Sequence, residues 1–203
     1  ARIGAVNTLV RVDGGYKGYN TDAIGLYREL EEENIIIKDK EVIILGAGGA
    51  SNAITYICAD KGAAKIYLLN RTFDKAKKLA DDVNSHFGDI VVPLAISDYR
   101  LIPGGKYPVI QTTSCGLYPN NDDAPIYDKE FYELVEAGVD IIFNPAKTMF
   151  MKLCKESGAR AYNGLKMLLY QGIAAFELWN DIKVPKNLAD KILGMMERKL
   201  KES

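Results

Sequence analysis

The stretch VIILGAGGASNAI, residues 42–54, limits the possible folds more than any other part of the chain. An apolar run stops at Gly46, two more glycines follow at positions 48 and 49, and the apolar spacing then resumes as that of a helix. Glycine is entropically costly inside regular structure, so three together need a reason in what approaches the backbone. A short buried strand that turns at once into a helix is also the repeating unit of a parallel sheet.

The rest of the chain reads in the same alternation. AVNTLVRVDGGYKGYN forms two extended segments around Asp13-Gly14-Gly15, a hairpin signal, with Asn7 inside the first of them. A helix follows, with Asn20 or Thr21 as cap and Asp22 in its first turn. Its apolar face is Ala23, Leu26, Tyr27 and Leu30, set against Arg28, Glu29, Glu31 and Glu32. Strands are predicted at 41–45, 64–70, 90–94, 107–113 and 139–144, and helices at 49–61, 71–87, 128–138, 147–158, 165–180 and 186–200. Such alternation predicts an α/β fold, a Rossmann-like parallel sheet with helices on both faces, followed by C-terminal helices.

Composition narrows the function. A net charge of −1 over 203 residues leaves no basic surface for a polyanion, and no Lys/Arg cluster interleaves with aromatics, so nucleic acid is not an expected partner. The longest apolar runs are far too short to span a bilayer, and no signal peptide is present. Cys58, Cys115 and Cys154 lie far apart without metal-ligand spacing, which implies reduced thiols in a cytoplasmic protein and no bound metal. The single histidine, His86, lies in a polar helix end and is expected to be solvated.

Strand, glycines and helix in this order form the context of a dinucleotide fingerprint. Gly46 can make the turn out of the strand, and Ala47 and Gly48 let a pyrophosphate reach the backbone. The helix starting near Gly49 offers free N–H groups and the positive end of its dipole, while Ala50 and Ser51 are small enough to pack on the sheet. The next strand ends in Asn70, Arg71 and Thr72, with Lys75 one turn on. An NAD site usually carries an acid there; a guanidinium attracts a 2′-phosphate instead, so the expected cofactor is NADP.

The motifs GAVNT (4–8), NTD (20–22), GAGGAS (46–51), NRT (70–72), TTSCG (112–116), FNPAKT (143–148) and NGLKMLLYQG (163–172) follow the order and spacing of the shikimate dehydrogenases. The chain resembles that family over essentially its whole length. The resemblance implies reduction of 3-dehydroshikimate to shikimate with NADPH, in a cleft between a substrate lobe and a nucleotide lobe. It implies that Asn7, Asp22, Phe143 and Gln171 face the substrate, with Asp22 also the acidic half of a catalytic Lys–Asp pair. Thr113 and Ser114 match a cofactor-contacting loop, and Ile141 and Gly164 match positions beside the nicotinamide. Gln171 also lies on an otherwise apolar stripe with Gly164, Leu168, Ala175 and Leu178, where a polar head needs a partner.

Two departures stand out. The family commonly has Tyr where this chain has Phe143, and its catalytic Lys and Ser-x-Ser motif lie upstream of GAVNT. With no initiator Met and almost no lead-in before the first strand, the chain is expected to be a piece of a longer enzyme, binding NADP(H) but turning over slowly or not at all. The expected division is residues 1–35 as a substrate-lobe remnant with a linking helix, 36–162 as the nucleotide lobe, and 163–203 as returning helices. Those last helices are expected to expose Leu169, Phe176 and Trp179, a surface suited to a homodimer. Two other readings remain open: a quinate/shikimate dehydrogenase using NAD, and a nucleotide-binding module without catalysis.

Overall fold

The computed structural model describes residues 5–202; Gly4, the first residue of GAVNT, lies outside the described residues. The chain opens with an antiparallel hairpin of β1 (Thr8–Val12) and β2 (Gly15–Tyr19), turned at Asp13-Gly14, and enters helix α1 (Thr21–Glu32). The nucleotide-type unit follows: β3 (Glu41–Leu45), α2 (Gly49–Asp60), β4 (Lys65–Asn70), α3 (Phe73–Phe87) and β5 (Val91–Ala95). After a 3-10 turn at residues 96–101 come β6 (Tyr107–Gln111), α4 (Lys129–Tyr132), β7 (Val135–Asp140), α5 (Met149–Glu156) and β8 (Arg160–Asn163). Helices α6 (Leu165–Asn180) and α7 (Lys186–Glu202) complete the chain. Among the described residues no helix is long and apolar enough to cross a membrane.

Six strands form one all-parallel sheet in the order β5-β4-β3-β6-β7-β8. The winding therefore reverses between β3 and β6, which opens a crevice at the carboxyl ends of those two strands. Alternate residues of each strand feed two cores. Val42, Ile44, Ile66 and Leu68 pack with Leu26 and Leu30 of α1 and with α2 and α3. Ile43, Leu45, Tyr67 and Leu69 pack on the opposite face with Tyr99, Phe131, Tyr132 and Phe150. Burial on both faces explains why the strands read as apolar runs rather than alternating ones.

Five expectations change. The helix read over 128–138 stops at Tyr132, and the strand read from 139 begins at Val135. Glu133 and Glu136 gave that stretch helical spacing, but Val135 packs in one core and Ala137 and Val139 in the other, across a register shift, and a Cβ on Gly138 would sit 2.8 Å from Cys154 Sγ. Edge strand β8 is short and largely polar, and no alternation announced it. Asn7 precedes β1 instead of lying within it. Leu169 is buried with Ile173 and Ala189 between α6 and α7, whereas Phe176 and Trp179 are exposed as expected.

The most informative difference is Glu29. The helical spacing placed it on the polar face of α1, yet it is only 1% exposed and its Oε2 accepts a bond from the Met167 N–H (3.0 Å). Met167 stands in the first turn of α6, whose cap residue is Gly164 with no side chain to offer. Glu29 thus caps α6 from another helix, satisfying an N–H that would otherwise be orphaned. The helices touch backbone to backbone beside it, since a Cβ on Gly25 would lie 2.6 Å from the Met167 carbonyl and 2.7 Å from the Gln171 nitrogen.

Burial pushes the Glu29 carboxyl up to about 8, against the opposing pull of the Met167 N–H. The native state thus retains a proton that the unfolded chain releases above about 4.5, so stability falls as pH rises from about 4.5 to about 8. Glu29→Gln keeps an acceptor for Met167 and removes this titration. Urea midpoints measured from pH 6 to pH 8 are expected to decline for the native sequence and to flatten for Glu29→Gln.

Candidate functional site

The site grows from how the chain leaves β3. Gly46 takes φ +111, a conformation that side-chain-bearing residues rarely adopt, and a Cβ there would lie 2.6 Å from Thr112 Oγ1. Its N–H donates to the Leu69 carbonyl (2.7 Å) at the end of β4. On the other side, the N–H and hydroxyl of Thr112 both donate to the Leu45 carbonyl, at 2.8 and 2.7 Å. Ser51 reaches back from α2 so that its hydroxyl donates to the Gly46 carbonyl (2.6 Å). The ends of three neighbouring strands are thereby tied to the first turn of one helix.

Gly48 and Gly49 differ from Gly46. Neither has a left-handed φ, and a Cβ on either would meet nothing within 4 Å. Both are exposed. Nothing in the fold requires glycine at these two positions, so their bareness leaves room for something from outside to approach the N–H groups at the start of α2. A groove of about 500 Å³ borders this turn, lined by Ala47, Gly48, Gly49, Asn52, Lys75, Lys78, Leu79 and Asp82. Ala50 is half-buried beside it, and Ser51, fully buried, serves the loop through its bond to Gly46.

At the end of β4 the Asn70 amide donates to the Thr72 carbonyl (2.8 Å), which shapes the turn into α3. Thr72 is the cap residue of α3 with no side-chain cap bond, and its hydroxyl has no partner among the described residues. The side chains of Arg71 and Lys75 are exposed and without partner among the described residues. Two unpaired cations at a helix start oppose its dipole. These features fit an anionic group that bears on the glycine turn and on the end of β4 together, as the pyrophosphate and 2′-phosphate of NADP would.

The loops after β6 and β7 share a buried support that the sequence reading missed. Asp140, with no exposure, accepts from Thr148 Oγ1 (2.7 Å), from the Ile142 N–H (3.0 Å) and from Gln111 Nε2 (3.3 Å). Gln111 in turn holds the carbonyls of Thr113 and Cys115 and accepts from the Thr113 N–H. Burial raises the Asp140 carboxyl to about 6 despite those bonds. A carboxylate and an amide closing two apolar strands were the available signal. Thr113 and exposed Ser114 are held here, while Ile141 lies against Gly164, where a Cβ would come within 2.1 Å of the Ile141 carbonyl. Gly164 thus owes its glycine to this close packing of β7 on the start of α6.

A second cluster forms around α1. The Asn7 Oδ1 accepts from the Thr21 N–H (2.8 Å) and from the hydroxyls of Thr21 and Thr8, and its NH2 has no partner among the described residues. Asn20 is the cap of α1 and accepts from Ala23. Asp22 follows, half-buried and with no bonded partner among the described residues. Gln171 donates to the Leu168 carbonyl (3.1 Å), its Oε1 has no partner among the described residues, and its backbone lies against Gly25 of α1. Asn7, Asp22 and Gln171 are therefore linked through one helix. Phe143 is exposed at 38% beyond β7, and no bond connects it to that cluster. Among the described residues no group of His, Cys, Asp and Glu could hold a metal ion.

The chain is similar to known proteins over most of its length. The model of shikimate / quinate 5-dehydrogenase matches residues 29–96, and that of the shikimate 5′-dehydrogenase C-terminal domain matches 164–191. The shikimate dehydrogenase (NADP(+)) of Carboxydothermus hydrogenoformans is 39% identical over 95% of this chain and 68% of its own length. The chain belongs to the shikimate dehydrogenase family. A chorismate mutase/shikimate 5-dehydrogenase fusion protein from Clostridium acetobutylicum superposes with a TM-score of 0.85 at 34% identity, covering all of this chain and 69% of that one. A shikimate dehydrogenase in complex with NADP+ superposes at 0.80 with 37% identity, covering 95% and 67%. The chain spans about two thirds of the length of these family members.

If Gly48 is bare for a ligand and not for the fold, Gly48→Val leaves the urea midpoint unchanged. It weakens NADP+ binding by at least about tenfold, or about 1.4 kcal/mol. Calorimetry and denaturation on one preparation test both halves; a fall in stability with affinity kept would contradict this reading.

Proposed function

We propose that this chain is the cofactor-binding part of an NADP-dependent shikimate dehydrogenase, acting in the reduction of 3-dehydroshikimate to shikimate. The observation that carries the reading is the pair of open glycines beside cations that have no protein partner. Residues 36–162 hold the nucleotide, and residues 5–35 and 163–202 bring the substrate-facing side chains to it. Free thiols at Cys58, Cys115 and Cys154 support a cytoplasmic setting. The exposed Phe176 and Trp179 support self-association as a homodimer.

Bound NADPH supplies the hydride to the ketone carbon. The backbone N–H groups of residues 48–50 take the pyrophosphate oxygens, aided by the α2 dipole. Arg71, Lys75 and the idle Thr72 hydroxyl take the 2′-phosphate, for which a guanidinium provides charge and paired donors. Toward the substrate, the free Asn7 NH2 donates to a hydroxyl or carboxylate, and the free Gln171 Oε1 accepts from a hydroxyl. The Asp22 carboxylate holds the ammonium of a general acid that protonates the ketone oxygen. Asp140 and Gln111 keep the loops after β6 and β7 in place.

The NAD-using quinate/shikimate reading is disfavoured by Arg71, which stands where an acid would take the ribose hydroxyls. Arg71→Asp is expected to weaken NADP+ binding on the order of 10- to 100-fold, the worth of about one charged hydrogen bond or more, and to spare NAD+. Equal dissociation constants for the two cofactors in the native chain would favour the other reading. Since Asp22 has no ammonium partner among the described residues, this chain alone is expected to bind NADP(H) yet show little or no turnover. A steady-state rate matching that of a full-length family member would contradict that expectation, and binding without any rate would also fit a module with no catalysis of its own.

A further inference from the structure

Of the residues that line the groove between α2 and α3, the NADP reading does not yet use Asn52, Lys78, Leu79 and Asp82. Lys77, the neighbour of Lys78, pairs with the acid one turn on, Asp81, at 2.7 Å. The corresponding acid for Lys78 is Asp82. Its carboxylate instead accepts a 2.8 Å bond from the Tyr56 hydroxyl, and no ion pair to Lys78 forms. Lys75 and Lys78 stand three apart on one helix face, both without an ion-pair partner among the described residues, and line the groove with the start of α2. Like charges at that spacing repel each other, and the α2 dipole adds to the repulsion. Asn52 lines the same groove, and its Oδ1 is enclosed with no donor among the described residues. An enclosed amide oxygen without a donor loses its hydration and gains nothing.

Resting on the NADP reading, we propose that the α2–α3 groove seats the phosphorylated ribose, with Lys78 a specificity-determining residue for the 2′-phosphate and Asn52 an acceptor for a ribose hydroxyl. The division of labour follows from chemistry. A second ammonium stabilises the additional phosphoryl group that distinguishes NADP+ from NAD+ and gains nothing from NAD+. The Asn52 oxygen reads a hydroxyl that both cofactors carry.

Calorimetric titration of the native chain and of the Lys78→Ala, Lys77→Ala and Asn52→Leu variants with NADP+ and NAD+ tests this directly. Lys78→Ala is expected to weaken NADP+ about tenfold, as for one charged hydrogen bond, with NAD+ unchanged and Lys77→Ala without effect on either. Asn52→Leu is expected to weaken both cofactors by a similar factor. Equal losses for Lys78→Ala and Lys77→Ala, or an Asn52→Leu variant with native affinities, would overturn the proposal. If Arg71→Asp shifts the NADP+/NAD+ ratio and Lys78→Ala does not, the NADP reading stands and only this inference falls. Failure of the native chain to bind NADP+ at all would instead overturn the reading beneath it.

Discussion

The organisation of the cleft depends on one crowded turn, where Gly46 leaves β3 between the ends of β4 and β6. There is no room there for a side chain, because a Cβ would clash with Thr112 Oγ1, and no ordinary residue adopts its φ readily. Gly46 bonds to Leu69, Thr112 bonds to Leu45, and Ser51 bonds to Gly46. This closure ties the first turn of α2 to the ends of β3, β4 and β6. Glycine therefore has two distinct physical roles within four residues. At 46 the fold requires it; at 48 and 49 a Cβ would meet nothing, which leaves the N–H groups at the start of α2 open to approach.

The cluster around α1 is organised by different means. Its side chains come from the start of α1 and the middle of α6, helices that meet backbone to backbone at Gly25. Glu29 secures that meeting by capping α6 from within the interface. A buried carboxyl used in this way makes the helix pair sensitive to pH, because the ionised form is the one burial disfavours. Asp140 plays the parallel part on the nucleotide side, where it fastens the loop after β7 through Thr148 and Ile142. Each half of the site thus rests on a carboxylate that does not itself face the cleft.

Much of this was legible in the sequence, for identifiable reasons. The apolar runs of β3, β4 and β6 and the amphipathic spacing of α3 are strong local signals. The glycine pattern gains its meaning from the strand before and the helix after it. Arg71 could be read by contrast with the acid expected at that point. What escaped were features that only packing creates. The boundary between α4 and β7 was hidden because Glu133 and Glu136 mimic a helical face. Strand β8 is an edge strand too short and polar to show alternation. Glu29 looked like an ordinary surface acid, and no local pattern marks a residue that caps a helix 138 positions away. The unpaired state of Lys78 likewise depends on Tyr56 having taken Asp82.

The central claim is that phosphate oxygens bind the bare peptide N–H groups at the start of α2. Backbone amide NMR during titration with NADP+ measures this most directly, since each amide reports its own hydrogen bond. The account predicts large shifts for Gly48, Gly49 and Ala50, with smaller ones at Arg71 and Lys75, saturating together. Saturable binding that leaves those amides unmoved while shifting residues elsewhere would contradict it.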